Sequence, residues 1–413
     1  MISKTNSSKK DSPNQRAWRQ LWKNKSAIFG LGVITIAVLM ALLGYLISPD
    51  KTTNVNEQIP EVSLKSPGFK VQLLAVRKNR KIEKKGLLNT MLFGRPNPYK
   101  FIPINNYKID GAQLIAERYE GENLQTGKPL KGKKLIYDLA DIAFPISFKN
   151  KTQQVAGGRM TYQDINDEQK EVKLTDLQQK IEENQIYQKT FYLGTDKYGR
   201  SMLSRLILGV RISLLVGLIA VFISLTIGIT LGAVAGYFGG RVDDLVLLII
   251  NTVWSIPTLL LVFAIVLALG RGIGIIFLAV GLTMWVDVAR IVRGQMIAFK
   301  EIQFVEAAQS MGFKSSRIIF RHILPNIIGP IMVIAATTFA TAILIEAGLS
   351  YLGFGIQPPT PSWGTMLNEN YGYAISGKPF LALIPAFAIM LMVLAFNLVG
   401  NGLRDALDVK SNN

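Results

Sequence analysis

Apolar residues in this chain collect into runs too long to be the buried stripe of a soluble helix. Crossing bilayer hydrocarbon takes about 20 residues at a rise of about 1.5 Å each. Six stretches are read as such spans, at 26–48, 210–237, 243–269, 273–292, 327–349 and 380–402. The first follows a basic segment, as a secretory signal would. Its run through Ile47, however, outlasts a signal's apolar core of about 7–15 residues, and no small-residue cleavage pattern follows. It is read as an uncleaved span, and the pattern predicts an all-α transmembrane bundle.

Residues 50–190, between the first two spans, follow a different period. Phe69 to Val76 and Met160 to Leu174 alternate apolar with polar positions, as strands do, and are broken by turn formers such as Asn166-Asp167. Thr175 and Gln178 have the spacing of a capping box, which predicts a helix through about Tyr187. A stretch this long is expected to fold as an α+β or mostly β insertion. It shows no chemical constellation, so a docking or scaffolding part is expected of it.

Charge then orients the chain. The basic segment 1–25 carries seven Lys or Arg against one acid, which places the N-terminus in the cytoplasm, and six crossings return the C-terminus there. Arg241, Arg290, Arg293, Lys300, Lys314, Arg317 and Arg321 then fall on the same side, while the loop 351–379 carries one Lys and one Glu. The insertion becomes extracytoplasmic, and its Lys excess is tolerated because long loops translocate regardless of charge. A net charge of +18 in a protein of this hydropathy marks the cytoplasmic face and anionic headgroups, not nucleic acid. With no Cys and a single His, His322, the chain has no disulfide framework, thiolate nucleophile, Cys metal site or all-imidazole site.

The most specific polar segment is the basic loop 298–325. Phe304, Val305, Glu306, Ala307 and Ala308 read as a helix whose two alanines allow close approach of another protein's backbone. Met311 leads to Gly312, suited to the left-handed position that ends a helix, then come Phe313 and Lys314, and Pro325 stops a second helix before the next span. This order resembles the Glu-Ala-Ala loop of ABC importer permeases, with His322 where that family often has Ile. The resemblance implies that Phe304 to Lys314 is a coupling helix docking in a groove of a separate ATPase subunit.

Two further stretches carry the likeness. Gly194, Thr195, Asp196, Gly199, Arg200, Ser204 and Arg205 are similar to a signature of the peptide and nickel permease family, C-type subunit, with Ser201 where that family usually has Asp. Arg200, Arg205 and Arg211 among leucines and isoleucines fit an amphipathic helix lying at the outer interface, an anchor before a substrate contact. The segment Ile345 to Gly364 looks like the family's sequence at the outer end of the fifth span. The likeness covers roughly residues 190–405.

Glu346 is a carboxylate inside the fifth apolar span. It is a candidate for lining the translocation path and meeting a peptide's ammonium group, with a structural hydrogen bond to a neighbouring helix as the alternative. Asn251 is the second candidate for the path; Trp254 and Pro257 beside it read as interface and kink. Asp287 and Arg290 are placed to neutralise each other three residues apart.

No phosphate-cradling Gly-x-x-x-x-Gly-Lys-Ser/Thr loop is present, and no catalytic set is evident, so an enzyme is not expected. The resemblance implies a six-span type I ABC importer permease of the bacterial inner membrane, with the insertion between spans 1 and 2 and a transmembrane core over 191–405. It implies a second homologous permease, two ATPase subunits holding ATP and Mg, a solute-binding protein, and di- or oligopeptide cargo. Nickel or metallophore import is the alternative within that family. A stand-alone ion-coupled carrier with Glu346 as its proton site leaves the Glu-Ala-Ala loop unexplained and predicts internal repeats that are not evident. A receptor acting through its outer domain would need only one anchor span.

Overall fold

The computed structural model describes residues 18–82, 86–123, 126, 129–147 and 154–408, so most of the basic segment 1–25 lies outside the described residues. The chain divides into two compact units. One holds Met1–Ala41, Gly209–Glu369 and Leu383–Asn413; the other holds Leu42–Leu208 and Asn370–Ala382.

The first long helix, α1, is Lys25–Ile47. Beyond it the second unit is built on a five-stranded antiparallel sheet ordered β4-β3-β2-β1-β8. Its elements run β1 Phe69–Arg77, α2 Leu87–Phe93, β2 Tyr99–Asp110, β3 Gln113–Arg118, β4 Lys134–Asp138, α3 Leu139–Ala143, β5 Gln154–Ala156, β6 Arg159–Gln163, β7 Gln169–Lys173, α4 Leu174–Asn184 and β8 Ile186–Phe191. The period-2 alternation explains both faces of the sheet. Leu74, Ile102, Ile104 and Leu114 pack with Ile142, Leu177 and Ile181 of α3 and α4, while Val71, Leu73 and Phe191 on the other face cover Ile59 and Val62. Met160 to Leu174 becomes a hairpin in a second, three-stranded sheet, with Asp167 at positive φ in its turn.

The expected capping box is not formed. Helix α4 starts at Leu174 with Lys173 as its N-cap, because Leu174 packs on the same core as Leu177 and Ile181 and draws Thr175 into the first turn. The Gln178 amide instead donates to the Gly111 carbonyl at 2.8 Å.

The remaining helices are α5 Met202–Phe238, α6 Gly240–Trp254, α7 Thr258–Leu269, α8 Ile273–Lys300, α9 Gln303–Ser310, α10 Ile328–Tyr351, α11 Trp363–Ile375 and α12 Phe380–Asp408. Among the described residues, α1, α5, α8, α10 and α12 are each long and apolar enough to cross a membrane. The continuous third span expected at 243–269 is broken: α6 and α7 meet at 87°. Pro257, the N-cap of α7, has no N–H to donate and its ring clashes with the preceding turn. Instead of a separate amphipathic helix around 200–213, residues from Met202 on open the 37-residue helix α5.

Close packing of α5 on α8 rests on three glycines one turn apart. A Cβ on Gly228, Gly232 or Gly236 would lie 2.6 Å from the Val288 Cβ, 2.5 Å from the Ala289 carbonyl oxygen and 2.6 Å from the Arg293 carbonyl oxygen. In a bilayer, where lipid tails are as apolar as Leu, such small-residue faces let backbones approach and supply much of the association.

Candidate functional site

The loop 298–325 folds as the helix-turn-helix its residues suggest. Helix α9 ends in a Schellman motif: Gly312 adopts φ +74°, its N–H donates to the Gln309 carbonyl at 2.9 Å, and the Phe313 N–H donates to the Ala308 carbonyl at 3.1 Å. The chain then winds through Ser315–Asn326 with Pro325 in the last turn and enters α10 after Ile327.

Helical periodicity splits α9 into two faces. Val305 and Ala308 are buried, in one core with Ala233 and Tyr237 of α5, Val288, Val292 and Met296 of α8, and Ile318 and Ile323 of the following turns. Phe304, Glu306, Ala307 and Met311 are exposed, and so is Lys314. The two alanines thus do different things. Ala308 packs inward on the bundle, and only Ala307 is open to another protein. Phe313 stacks on His322, with the Arg317 guanidinium 4.3 Å from the Phe313 ring centroid.

Asp196 is the centre of a second cluster. Its carboxylate is fully buried and accepts the Tyr198 and Arg200 N–H groups at 2.9 Å, the Arg200 Nε at 2.7 Å and the Arg205 Nη1 at 2.9 Å. Arg200 also donates to Asn56 at 3.2 Å, and the Thr195 hydroxyl accepts the Lys65 N–H at 2.9 Å. Gly199 and Gly194 are both at positive φ, and a Cβ on Gly199 would fall 1.8 Å from the Ile59 carbonyl oxygen. The signature is therefore a staple holding residues 56–65 against the start of α5. Ser201 caps that helix by accepting the Ser204 N–H at 3.3 Å, a role that Asp fills as readily.

Glu346 is completely buried within its unit. Its Oε1 accepts the Ser350 hydroxyl at 2.7 Å, and the same hydroxyl accepts the Ile356 N–H at 3.0 Å. Residues 353–365 fold back on α10 so closely that a Cβ on Gly364 would lie 2.7 Å from the Ala347 Cα. Asn251, by contrast, is exposed on α6.

The expected neutralisation of Asp287 by Arg290 gives way to a different arrangement. Arg290 lies over Trp254, 4.1 Å from the ring centroid, and Arg293 reaches across to form a two-pronged ion pair with Asp243 of α6. Sequence spacing pointed to the wrong pair because Asp243 lies on another helix.

In the insertion, a cavity of about 960 Å³ is lined by Asp50, Glu57, Arg77, Tyr99, Phe101 and Lys189, among others. Its charges are mostly satisfied internally: Glu57 accepts Lys189 Nζ at 2.9 Å, and Asp50 accepts the Thr52 and Glu57 N–H groups at 2.8 and 3.0 Å. Burial, opposed by Lys189, leaves the Glu57 carboxyl above the usual carboxylate range.

Comparison with known proteins bears on these features. The family described as binding-protein-dependent transport system inner membrane component matches residues 228–412, and the N-terminal TM domain of oligopeptide transport permease C matches residues 12–67. The oligopeptide transport system permease protein of Bacillus subtilis is 41% identical over 222 residues, covering 54% of this chain and 72% of that protein. The dipeptide transport system permease protein of the same organism is 42% identical over 219 residues, covering 53% and 68%. The oligopeptide transport system permease protein of Escherichia coli is 44% identical over 219 residues, covering 53% and 72%.

Proposed function

This chain belongs to the family of binding-protein-dependent transport system inner membrane components, and we propose that it is the C-type permease subunit of an ATP-driven importer of peptides. The peptide cargo is supported by its relatives, which are oligopeptide and dipeptide transport permeases and so favour it over nickel. A second, homologous permease completes the translocation path, two ATPase subunits hold ATP and Mg, and an extracytoplasmic solute-binding protein delivers cargo. The chain lies in the inner membrane with both termini in the cytoplasm and the insertion outside, as the distribution of Lys and Arg requires.

One observation carries the mechanism: α9 has one face in the bundle core and the other exposed. A helix so placed transmits displacement. In this reading Phe304, Glu306, Ala307, Met311 and Lys314 meet the ATPase, Val305, Ala308 and Phe313 grip the bundle, and Gly312 and Pro325 set the turns between them. ATP binding favours closed ATPase subunits, and the closure passes through Val305 and Ala308 to α5 and α8, shifting the bundle between its inward- and outward-open states. An ion-coupled carrier has no use for such a helix. For the path, exposed Asn251 is the candidate this geometry favours, while Glu346 serves the outer end of α10 by holding Ser350 and the turn at Ile356.

The test is Ala307→Trp in the complete transporter. The exposed site leaves the bundle intact, so the subunit is expected to reach the membrane while ATP-driven peptide uptake falls by at least about tenfold, equivalent to about 1.4 kcal/mol of lost docking. Unchanged uptake would sink the coupling assignment.

A further inference from the structure

The short helix α2 has no place in the transport reading. Its seven residues, Leu87 to Phe93, contain no charge, and Leu87, Leu88, Leu92 and Phe93 are 71%, 70%, 51% and 59% exposed. In a domain standing wholly in water, an apolar cluster of this kind marks a contact surface.

Its depth is fixed by α1. The backbone at Gly94, just past the helix, lies so close to α1 that a Cβ there would be 2.8 Å from the Tyr45 ring and 3.0 Å from the Lys51 carbonyl oxygen. The Arg95 N–H donates to that carbonyl at 2.9 Å, and the Tyr45 hydroxyl accepts the Asn54 N–H at 3.0 Å. Tyr45 is in the last turn of α1 and Lys51 is four residues beyond its end. The helix is therefore pinned at the level where the chain leaves the hydrocarbon.

From this we infer that α2 is a second membrane contact, seated in the outer-leaflet interface beside the end of α1 and covered by lipid acyl chains. Two observations select lipid over a protein partner. The exposed leucines sit beside the end of α1, which is itself apolar and open there, with Leu43 and Ile47 38% and 53% exposed. Exposed Arg95 follows directly, at the depth of the phosphates, as basic residues flank interfacial segments. A rigid contact at this point would fix the root of the insertion on the membrane, independently of which cargo the transporter carries.

The absence of native cysteine makes the test direct. Leu88→Cys and Phe93→Cys, each labelled with an environment-sensitive fluorophore, are compared with Val155→Cys on β5 in the complete transporter held in phosphatidylcholine nanodiscs. Nitroxide groups on the upper acyl chains should quench the Leu88 and Phe93 probes at least about twofold and leave the Val155 probe unchanged, with blue-shifted emission at the first two sites. Emission at Leu88 and Phe93 as red and unquenched as at Val155 would place α2 in water and overturn the inference. Blue-shifted but unquenched emission would show a protein cover and overturn it equally. All three sites are exposed, so the substitutions leave the core untouched.

Discussion

Asp196 shows how a single buried carboxylate organises its surroundings. Two guanidinium groups and two backbone N–H groups converge on it. Removing the negative charge breaks the buried ion pairs that Asp196 makes with Arg200 and Arg205, a change that typically costs about 3–5 kcal/mol. Asp196→Asn is therefore expected to lower the thermal midpoint of the purified transporter markedly, and an unchanged midpoint would contradict the staple. The residues of this motif were recognisable in sequence order, but their partners Asn56 and Lys65 lie more than a hundred positions upstream and no local pattern announces them. Glu346 was legible as a carboxylate in an apolar span. Its burial was not, because the turn 353–365 that seals it becomes evident only when Gly355 and Gly364 are seen against α10.

At the level of elements, length and hydropathy located the membrane helices well, while their ends and breaks depended on packing. Pro257 marked the kink in the third apolar run, but the 87° turn that splits it into α6 and α7 needs tertiary context. The Gly228, Gly232 and Gly236 repeat was a readable small-residue face that the motif reading passed over. Gly232→Leu would drive a side chain into the Ala289 backbone, 2.5 Å from where its Cβ begins, and overpacking of this kind costs about 1–3 kcal/mol or more. Reduced membrane accumulation of Gly232→Leu is expected, with Gly294→Ala near wild type because nothing lies within 4 Å of that Cβ. Equal accumulation of the two variants would show that α5 does not pack on α8 as described. Helix α9 is the opposite case, in which Gly312 announced the helix end and the structure places it at positive φ.

For the molecule as a whole, the apolar runs and the alternating insertion anticipated a transmembrane helical bundle carrying a β-rich module between its first two spans. The order β4-β3-β2-β1-β8 was out of reach, since β8 pairs with β1 from more than a hundred residues away and only the folded chain reveals that closure. Peptide import by this bundle, driven by ATPase subunits acting through α9, is the proposal that most needs a direct measurement. The most direct measurement is uptake of a labelled oligopeptide into liposomes containing the two permeases and the ATPase subunits, with the solute-binding protein outside and ATP and Mg inside, alongside parallel samples with nickel. Peptide accumulation that requires both ATP and this chain is expected. Peptide uptake driven by an ion gradient without ATP, or nickel accumulation with no peptide uptake, would contradict it.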